Sequence, residues 1–361
     1  MIHSQYWRIL ETSHLILRLT TVKVTTMLPE LCFKTEFILL GELLLSISLA
    51  GTPGSRWMSN ISHHILFGFV RIHVVSSRDS GETWEHETTL FFGTDLREPM
   101  FLTLNDKLYF SFFQAGTNPI DFEPLGLFRI RLIRVGEWTS PELYGHEGEV
   151  VWEIVRENGT AYSQSYSGQY GLPGDGTDLG QLDMFLNMST DGVSWQPVGQ
   201  EVIYHGGLTE VGFYFDLEGN IWGVARNEDG DESGWGSRTF FAGQDDLSSW
   251  NFVSEESDPW IYESPKMFRH GSELYLVART DPAGPFWSKD NPLLNILPAW
   301  EHHLADLVSF SLRQHGTGIW HLDRSSGQLS LVLELTGCGD TAFPSIIRYK
   351  LNRLYKVLSG T

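Results

Sequence analysis

The sequence predicts an all-β protein built from repeated short strands, and two observations support this prediction. The chain of 361 residues contains 36 glycines and 13 tryptophans, a composition typical of many short strands joined by tight turns. A similar unit also recurs along the chain at intervals of roughly 50–60 residues. Recurrence at this spacing indicates one extended repeat fold rather than two unrelated domains.

Each repeat unit begins with an acidic residue and continues as a strand, a polar turn and a second strand. The turns are rich in Asn, Asp and Gly, which tolerate the backbone conformation of tight hairpins. Four units begin at Glu98, Glu149, Glu210 and Glu263, and a fifth start at residues 339–347 is cut short. The sequence therefore predicts a series of β-hairpins, each led by a carboxylate.

A tryptophan follows the second hairpin of each unit. The members of this series are Trp84, Trp138, Trp195, Trp250 and Trp320. A large ring at one fixed place per repeat fills the wedge between neighbouring sheets. The series therefore predicts sheets that stack side by side.

Two of these tryptophans close a sharper turn motif. The first copy, S-x-D-x-G-x-T-W, consists of Ser77, Asp79, Gly81, Thr83 and Trp84. The second copy is one residue shorter and consists of Ser189, Asp191, Gly192 and Trp195. The Asp would accept hydrogen bonds from the amides that follow it, and the Gly would supply a positive φ. We therefore expect both aspartates to be structural, and a degraded third copy ends at Trp250.

These turns are similar to the Asp boxes (BNR repeats) of the sialidase, or neuraminidase, superfamily. The resemblance covers about residues 65–348 and implies a six-bladed β-propeller whose first and last blades are irregular or incomplete in this chain. Residues 1–60 would form an irregular N-terminal segment, and residues 61–361 the propeller. Either the strand-like stretch 14–26 completes the last blade, or the chain is truncated after Ile347.

The repeat places one carboxylate at the start of each innermost strand, where a propeller's channel opens. Five acids would converge there: Glu98, Glu149, Glu210, Glu263 and Asp340. Their mutual repulsion would raise some of the pKa values, as general acid–base chemistry requires. Three arginines, Arg97, Arg226 and Arg279, belong to the same region. They either grip a substrate carboxylate or pair with the acids as structural salt bridges.

The resemblance implies a glycoside hydrolase that releases a terminal sugar, foremost sialic acid, from glycoconjugates. In that family arginines hold the carboxylate of the sugar, and a tyrosine assisted by a glutamate attacks the anomeric carbon. The candidate catalytic residues are Glu210, Glu98 and Glu263. The candidate substrate-binding residues are Arg226, Arg279, Arg97, Glu149 and Asp340. The family's first-blade F-R-I-P motif and acid aspartate have no counterpart here, and the nucleophile candidates are Tyr349 and Tyr355.

Two other functions stay open at this point. Arg97-Glu98-Pro99 and Tyr262-Glu263-Ser264-Pro265 are similar to the R-D-P and E-C-P elements of five-bladed propellers that cleave fructans and arabinans, in which a carboxylate pair does the chemistry. The other alternative is a catalytically inactive propeller that binds glycans or proteins at the same mouth.

Composition argues against several partners. The formal charge of −20 would repel nucleic acid, and the histidines and the two cysteines lack the spacing of a metal site. We expect neither a metal nor an organic cofactor. The apolar run 37–50 is short for a membrane span and reads as a buried strand of a cytoplasmic protein. If translation begins at Met27, it reads instead as a weak export signal of a secreted or lumenal protein.

Overall fold

The computed structural model confirms the all-β class: antiparallel sheets account for most of the described chain. The described residues are 2–7, 19–24, 35–40, 43–51, 70–78, 83–117, 122–169, 181–297, 301–302, 305–306, 308–309, 313, 315–336, 344–349 and 354–358. In the described part of the chain, no helix has the length and hydrophobicity needed to span a membrane.

Five antiparallel sheets, here called blades 1–5, each contain at least four strands taken in chain order. Blade 1 contains β3 (Thr35–Leu40), β4 (Leu43–Gly51), β5 (Val70–Ser77) and β6 (Glu85–Leu90). Blade 2 contains β7 (Asp95–Leu104), β8 (Lys107–Ala115), β9 (Pro124–Arg134), β10 (Glu137–Trp138) and β11 (Glu142–Tyr144). Blade 3 contains β12 (Val150–Glu157), β13 (Thr160–Gln169), β14 (Gln181–Ser189), β15 (Gln196–Pro197) and β16 (Tyr204–Gly206).

Blades 4 and 5 each contain four strands, as blade 1 does. Blade 4 contains β17 (Leu208–Phe215), β18 (Ile221–Asp231), β19 (Gly234–Ala242) and β20 (Asn251–Phe252). Blade 5 contains β21 (Lys266–His270), β22 (Glu273–Thr280), β23 (Gly316–Asp323) and β24 (Gln328–Thr336). The segment 281–315 separates the second and third strands of blade 5, whereas only two residues separate β18 and β19 in blade 4.

Two further hairpins lie at the ends of the chain. One pairs β1 (Ile2–Trp7) with β2 (Leu19–Val24), and the other pairs β25 (Ser345–Tyr349) with β26 (Leu354–Leu358). Strand β2 contacts β26, and β25 contacts β3 of blade 1. The sixth blade stays a prediction, in which these hairpins together close the ring. Within residues 1–60, β3 and β4 belong to the blade 1 sheet.

The hairpin turns of the repeat follow from their residues. Asn105 and Asp106 have φ values of 49° and 59°, and Asn158 and Gly159 have φ values of 48° and 81°. Positive φ at both central residues defines the type I′ turn, whose twist matches that of the paired strands. These two turns join the first and second strands of blades 2 and 3, as the sequence predicts.

The periodic tryptophans contribute to the packing of the blades. Trp138 packs against the core that blades 1 and 2 share, and Trp195 packs beside Leu102 and Tyr109 of blade 2. The Trp250 ring stacks on the fully buried Phe240 with the ring centroids 3.8 Å apart. These three rings lie at or next to the fourth strand of their blades, as the series predicts. Trp320 differs, because it lies within the third strand of blade 5 and packs against Tyr262.

The second turn motif connects blade 3 to blade 2. The Asp191 carboxylate accepts hydrogen bonds from the backbone N–H groups of Val193 and Ser194, each at 2.7 Å, and Gly192 has a φ of 75°. The Tyr109 hydroxyl of blade 2 donates to the Asp191 carbonyl at 2.9 Å, and Arg129 donates to the Val193 carbonyl at 2.6 Å. In the first motif, Asp79 and Gly81 lie outside the described residues.

Candidate functional site

Blades 4 and 5 bring two predicted acids and two predicted arginines into one buried cluster. Arg226 projects from β18 and donates to Glu210 at 3.2 Å, to Glu263 at 2.9 Å and to Glu228 at 2.8 Å. Arg279, from β22 of blade 5, donates to the other oxygen of Glu263. The side chains of Arg226 and Glu263 are only 5% and 8% exposed. This cluster is called the Glu–Arg cluster below.

Glu263 carries a stable negative charge in this cluster. Burial alone would raise the pKa of the Glu263 carboxyl, but Arg279 and Arg226 outweigh burial and lower the pKa to about 2. Each carboxylate oxygen accepts from a different guanidinium, so charge-assisted hydrogen bonds fix its orientation. Glu263 is therefore an ionised carboxylate at any pH near neutrality.

Glu210 has a different environment although it shares Arg226. Burial raises the pKa of Glu210 to about 7, against the attraction of Arg226. One oxygen of Glu210 accepts from Arg226, and the other accepts from the backbone N–H of Ser264 at 2.6 Å. Ser264 has a φ of 52°, a conformation that costs free energy for a residue with a side chain. Glu210 therefore holds the backbone next to Glu263 in place.

A small cleft opens beside the Glu–Arg cluster. Its lining includes Glu263, Arg279 and the aromatic side chains of Trp260 and Phe286. A mostly apolar wall with a few converging polar groups is the usual make-up of a small-molecule site. Glu263 is thus a charged carboxylate at the edge of this cleft.

The segment 281–315 contributes Asp281, Asp306 and Arg313 to the lining of the cleft. Arg313 forms a close ion pair with Asp281, and its other terminal nitrogen lies 3.8 Å from Asp306. Burial raises the pKa of Asp306 to about 7, and the charge of Glu263 contributes to this rise. The segment contains the short helix α1 (Pro292–Ile296), whose first turn is capped by Asn291.

Asp306 and Arg313 are not predicted from the sequence because they belong to no repeat unit. One signal was available: the spacing from Trp250 to Trp320 is longer than the spacings between the earlier members of the tryptophan series. A long connection within a compact repeat fold is often functional.

Two predicted site residues of blades 2 and 3 have partners of their own. Arg97 pairs with Asp95 and lies 5.3 Å from the centroid of the Phe122 ring. Glu149 is buried, and it accepts from the Ser165 hydroxyl at 2.6 Å and from the backbone N–H of His146 at 3.0 Å.

The other predicted residues are described only in part or not at all. Glu98 is half-buried with a φ of 46°. Asp340 lies outside the described residues, as do the side chains of Tyr349 and Tyr355. A different tyrosine, Tyr166 of blade 3, is close enough to Arg226 to contribute to the raised pKa of that guanidinium. Among the described residues, no three His, Cys, Asp or Glu side chains are arranged to hold a metal ion.

Comparison with known proteins identifies the fold. No protein-family model matches the chain, and no curated protein matches it in sequence. A sialidase of Trypanosoma rangeli, solved in complex with 2,3-difluorosialic acid, aligns with a TM-score of 0.55 and 13% identity over 98% of this chain and 56% of that one. The family 93 α-L-arabinofuranosidase of Fusarium graminearum, solved with arabinobiose, aligns with a TM-score of 0.50 and 12% identity over 88% of this chain and 85% of that one. The chain thus has a propeller fold of the kind found in glycoside hydrolases, and it spans little more than half the length of the sialidase.

Proposed function

We propose that this protein is a glycoside hydrolase that releases a terminal sugar from a glycan. The observation that carries the proposal is the ionised Glu263, which two arginines hold at the edge of a cleft walled by Trp260 and Phe286. Cleavage of a glycosidic bond develops positive charge on the sugar ring, and a fixed carboxylate stabilises that charge or attacks it. The aromatic side chains offer apolar surface for the C–H faces of a sugar ring.

Sialic acid is the substrate implied by the resemblance, with Arg226 and Arg279 holding its carboxylate. Both guanidinium groups, however, donate to carboxylates of the protein itself. A sialic acid carboxylate would have to displace Glu210, Glu228 or Glu263 from them. Displacement would leave a buried carboxylate without its partner, which costs several kcal/mol.

A neutral terminal sugar fits the charges of the cleft better. Three acidic side chains line it, from Glu263, Asp281 and Asp306. Its two guanidiniums, of Arg279 and Arg313, already pair with acids of the protein. An uncharged furanoside or pyranoside would enter without repulsion and would leave every ion pair intact. This observation favours the carboxylate chemistry of the arabinan-cleaving propellers over the arginine clamp of the sialidases.

The experiment is hydrolysis of a panel of aryl glycosides that includes an α-sialoside and an α-L-arabinofuranoside. We expect turnover of a neutral glycoside, and we expect Glu263→Gln to lower kcat by at least about 10²-fold while circular dichroism shows a folded protein. Glu256→Gln is the matched control, because Glu256 is exposed and pairs with the surface residue Lys289.

The alternative outcomes separate the remaining functions. Turnover of the sialoside that is lost in Arg279→Ala would establish the arginine clamp instead. No turnover of any member of the panel by a cooperatively folded sample would exclude the hydrolase and leave the glycan- or protein-binding propeller.

A further inference from the structure

We propose that Asp306, on the segment between the second and third strands of blade 5, is the proton donor of this site. The inference rests on the proposed hydrolase activity. It assigns a catalytic role to a residue outside the propeller repeat, whereas the inner-strand acids would be the first choice from the sequence. The geometry that supports it is the position of Asp306 on the same cleft as Glu263.

Within the part of the chain that the structure describes, no side chain ties the Asp306 carboxyl group into a hydrogen bond, so the group is available to a ligand. Arg313 makes its close ion pair with Asp281, and it lies 3.8 Å from Asp306, which is too long for a hydrogen bond. Arg313 also donates to the backbone carbonyl of Ser309 at 3.2 Å. The arginine therefore fixes the segment that carries Asp306 without tying the carboxyl into a tight ion pair.

Glu210 is a poorer candidate for the same role. Its two oxygens accept from Arg226 and from the backbone of Ser264. It is also not among the residues that line the cleft. Glu210 is therefore a positioning residue for the turn next to Glu263, and the proton must come from another group.

The charges around Asp306 favour its protonated form. Burial opposes ionisation of Asp306 most strongly, and the negative charges of Glu263 and Glu228 oppose it as well. Arg313 and Arg226 favour ionisation but do not outweigh these effects. Asp281, Arg279 and His315 line the same cleft. The outcome is a raised pKa of about 7 for Asp306, against about 2 for Glu263. Two carboxyl groups whose pKa values are driven apart are the usual acid and base of a glycosidase.

The proposed step balances without any further reactant. Asp306 gives its proton to the glycosidic oxygen while the bond from that oxygen to the anomeric carbon breaks, and the electron pair of the bond goes to the oxygen. The Glu263 carboxylate balances the positive charge on the sugar, by attack or by its field. Water then adds its hydroxide to the anomeric carbon and returns a proton to Asp306.

The test uses the dependence of the rate on the leaving group. Leaving groups of low pKa, such as dinitrophenol, depart without protonation, whereas alkyl alcohols need a proton. We expect Asp306→Asn to lower kcat for an alkyl glycoside by roughly 10²–10⁴-fold and to change kcat little for the dinitrophenyl glycoside. The fall of kcat/KM of the parent protein as the pH rises through about 7 should disappear in the variant.

Two controls accompany the test. Asp290→Asn changes an exposed aspartate of the same segment and should behave like the parent with both substrates. A thermal melt of Asp306→Asn establishes that the variant is folded, and Asp306→Glu should restore part of the activity on the alkyl glycoside.

Each outcome bears on the proposal. If the parent hydrolyses the glycosides and Asp306→Asn affects both leaving groups equally, or neither, the assignment of Asp306 is overturned while the hydrolase stands. If the folded parent hydrolyses no glycoside, the hydrolase and the proton donor are both wrong. Selective loss on the poor leaving group supports both.

Discussion

Arg226 shows how one residue sets the chemistry of its neighbours. It is almost fully buried and donates to three carboxylates from two blades. Only a guanidinium has enough donors, in a rigid planar fork, to satisfy three acceptors at once. The result is unequal. Glu263 pairs with both Arg226 and Arg279 and is strongly acidic, whereas Glu210 pairs with Arg226 alone among the described residues.

The free energy of unfolding should depend on pH because ionising the buried Glu210 carboxyl group is costly. Its pKa in the folded protein is raised from 4.5 to about 7. Its contribution to the free energy of unfolding is therefore fully present below pH 4.5 and is lost as the pH rises through about 7. The free energy of unfolding of the parent should therefore fall as the pH rises from 4.5 to 7.5. We expect this fall to be smaller by roughly 3 kcal/mol in Glu210→Gln, as measured by urea unfolding at several pH values in this range.

Other groups do not mask the Glu210 effect. The raised pKa of Asp306 also lowers the free energy of unfolding as the pH rises. Asp306 is present in both the parent and Glu210→Gln, so the difference between the two proteins reports on Glu210. Glu263 has a lowered pKa, and its contribution is lost only below pH 4.5. Glu256→Gln, at an exposed site, should follow the parent. Equal slopes for Glu210→Gln and the parent would mean that Glu210 does not titrate in this range.

At the scale of elements, the second turn motif links two blades through its backbone. Asp191 orders the turn, and the ordered carbonyls of Asp191 and Val193 then accept from Tyr109 and Arg129 of blade 2. The backbone N–H groups of Ser194 and Val193 lower the pKa of Asp191 to about 2. The aspartate is thus ionised near neutrality because of the turn that it caps.

Removing the Asp191 carboxylate should loosen the contact between blades 2 and 3. We expect Asp191→Ala to lower the free energy of unfolding by about 1–2 kcal/mol, since two backbone N–H groups lose their acceptor. Amide hydrogen exchange should quicken at Val193 and Ser194. Asp245→Ala, at an exposed position of blade 4, is the control and should be neutral. Unchanged exchange at Val193 and Ser194 would show that the neighbouring blade orders the turn without the carboxylate.

The elements also explain which parts of the site the sequence predicts. The inner-strand position of Glu210 and Glu263 repeats with the hairpins, so the repeat alone identifies both residues, and the equivalent ends of β18 and β22 identify Arg226 and Arg279. Asp306 lies on an irregular segment that no period predicts, and it shares the cleft with the ion pair between Arg313 and Asp281. Which acid an arginine pairs with depends on three-dimensional packing, and the hydrophobic periodicity of a sequence does not predict it.

At the scale of the whole molecule, the two ends of the chain come together. Strand β2 contacts β26, and β25 contacts β3 of blade 1. A propeller gains stability when its last sheet is completed, because an incomplete sheet leaves strand edges unpaired. The contacts of the terminal hairpins with each other and with blade 1 are those that such a closure requires.

A form of the protein that begins at Met27 tests this closure, because it lacks β1 and β2 but retains β3 and every later strand. We expect its melting temperature to fall by several degrees, since removing the hairpin uncovers β26 and the loss of a few kcal/mol shifts melting by that amount. Circular dichroism gives the melting temperature, and size-exclusion chromatography reports whether the uncovered edge causes association. If the shorter form melts at the same temperature and stays monodisperse, the ring closes without the first hairpin. The sixth blade would then consist of β25 and β26 alone.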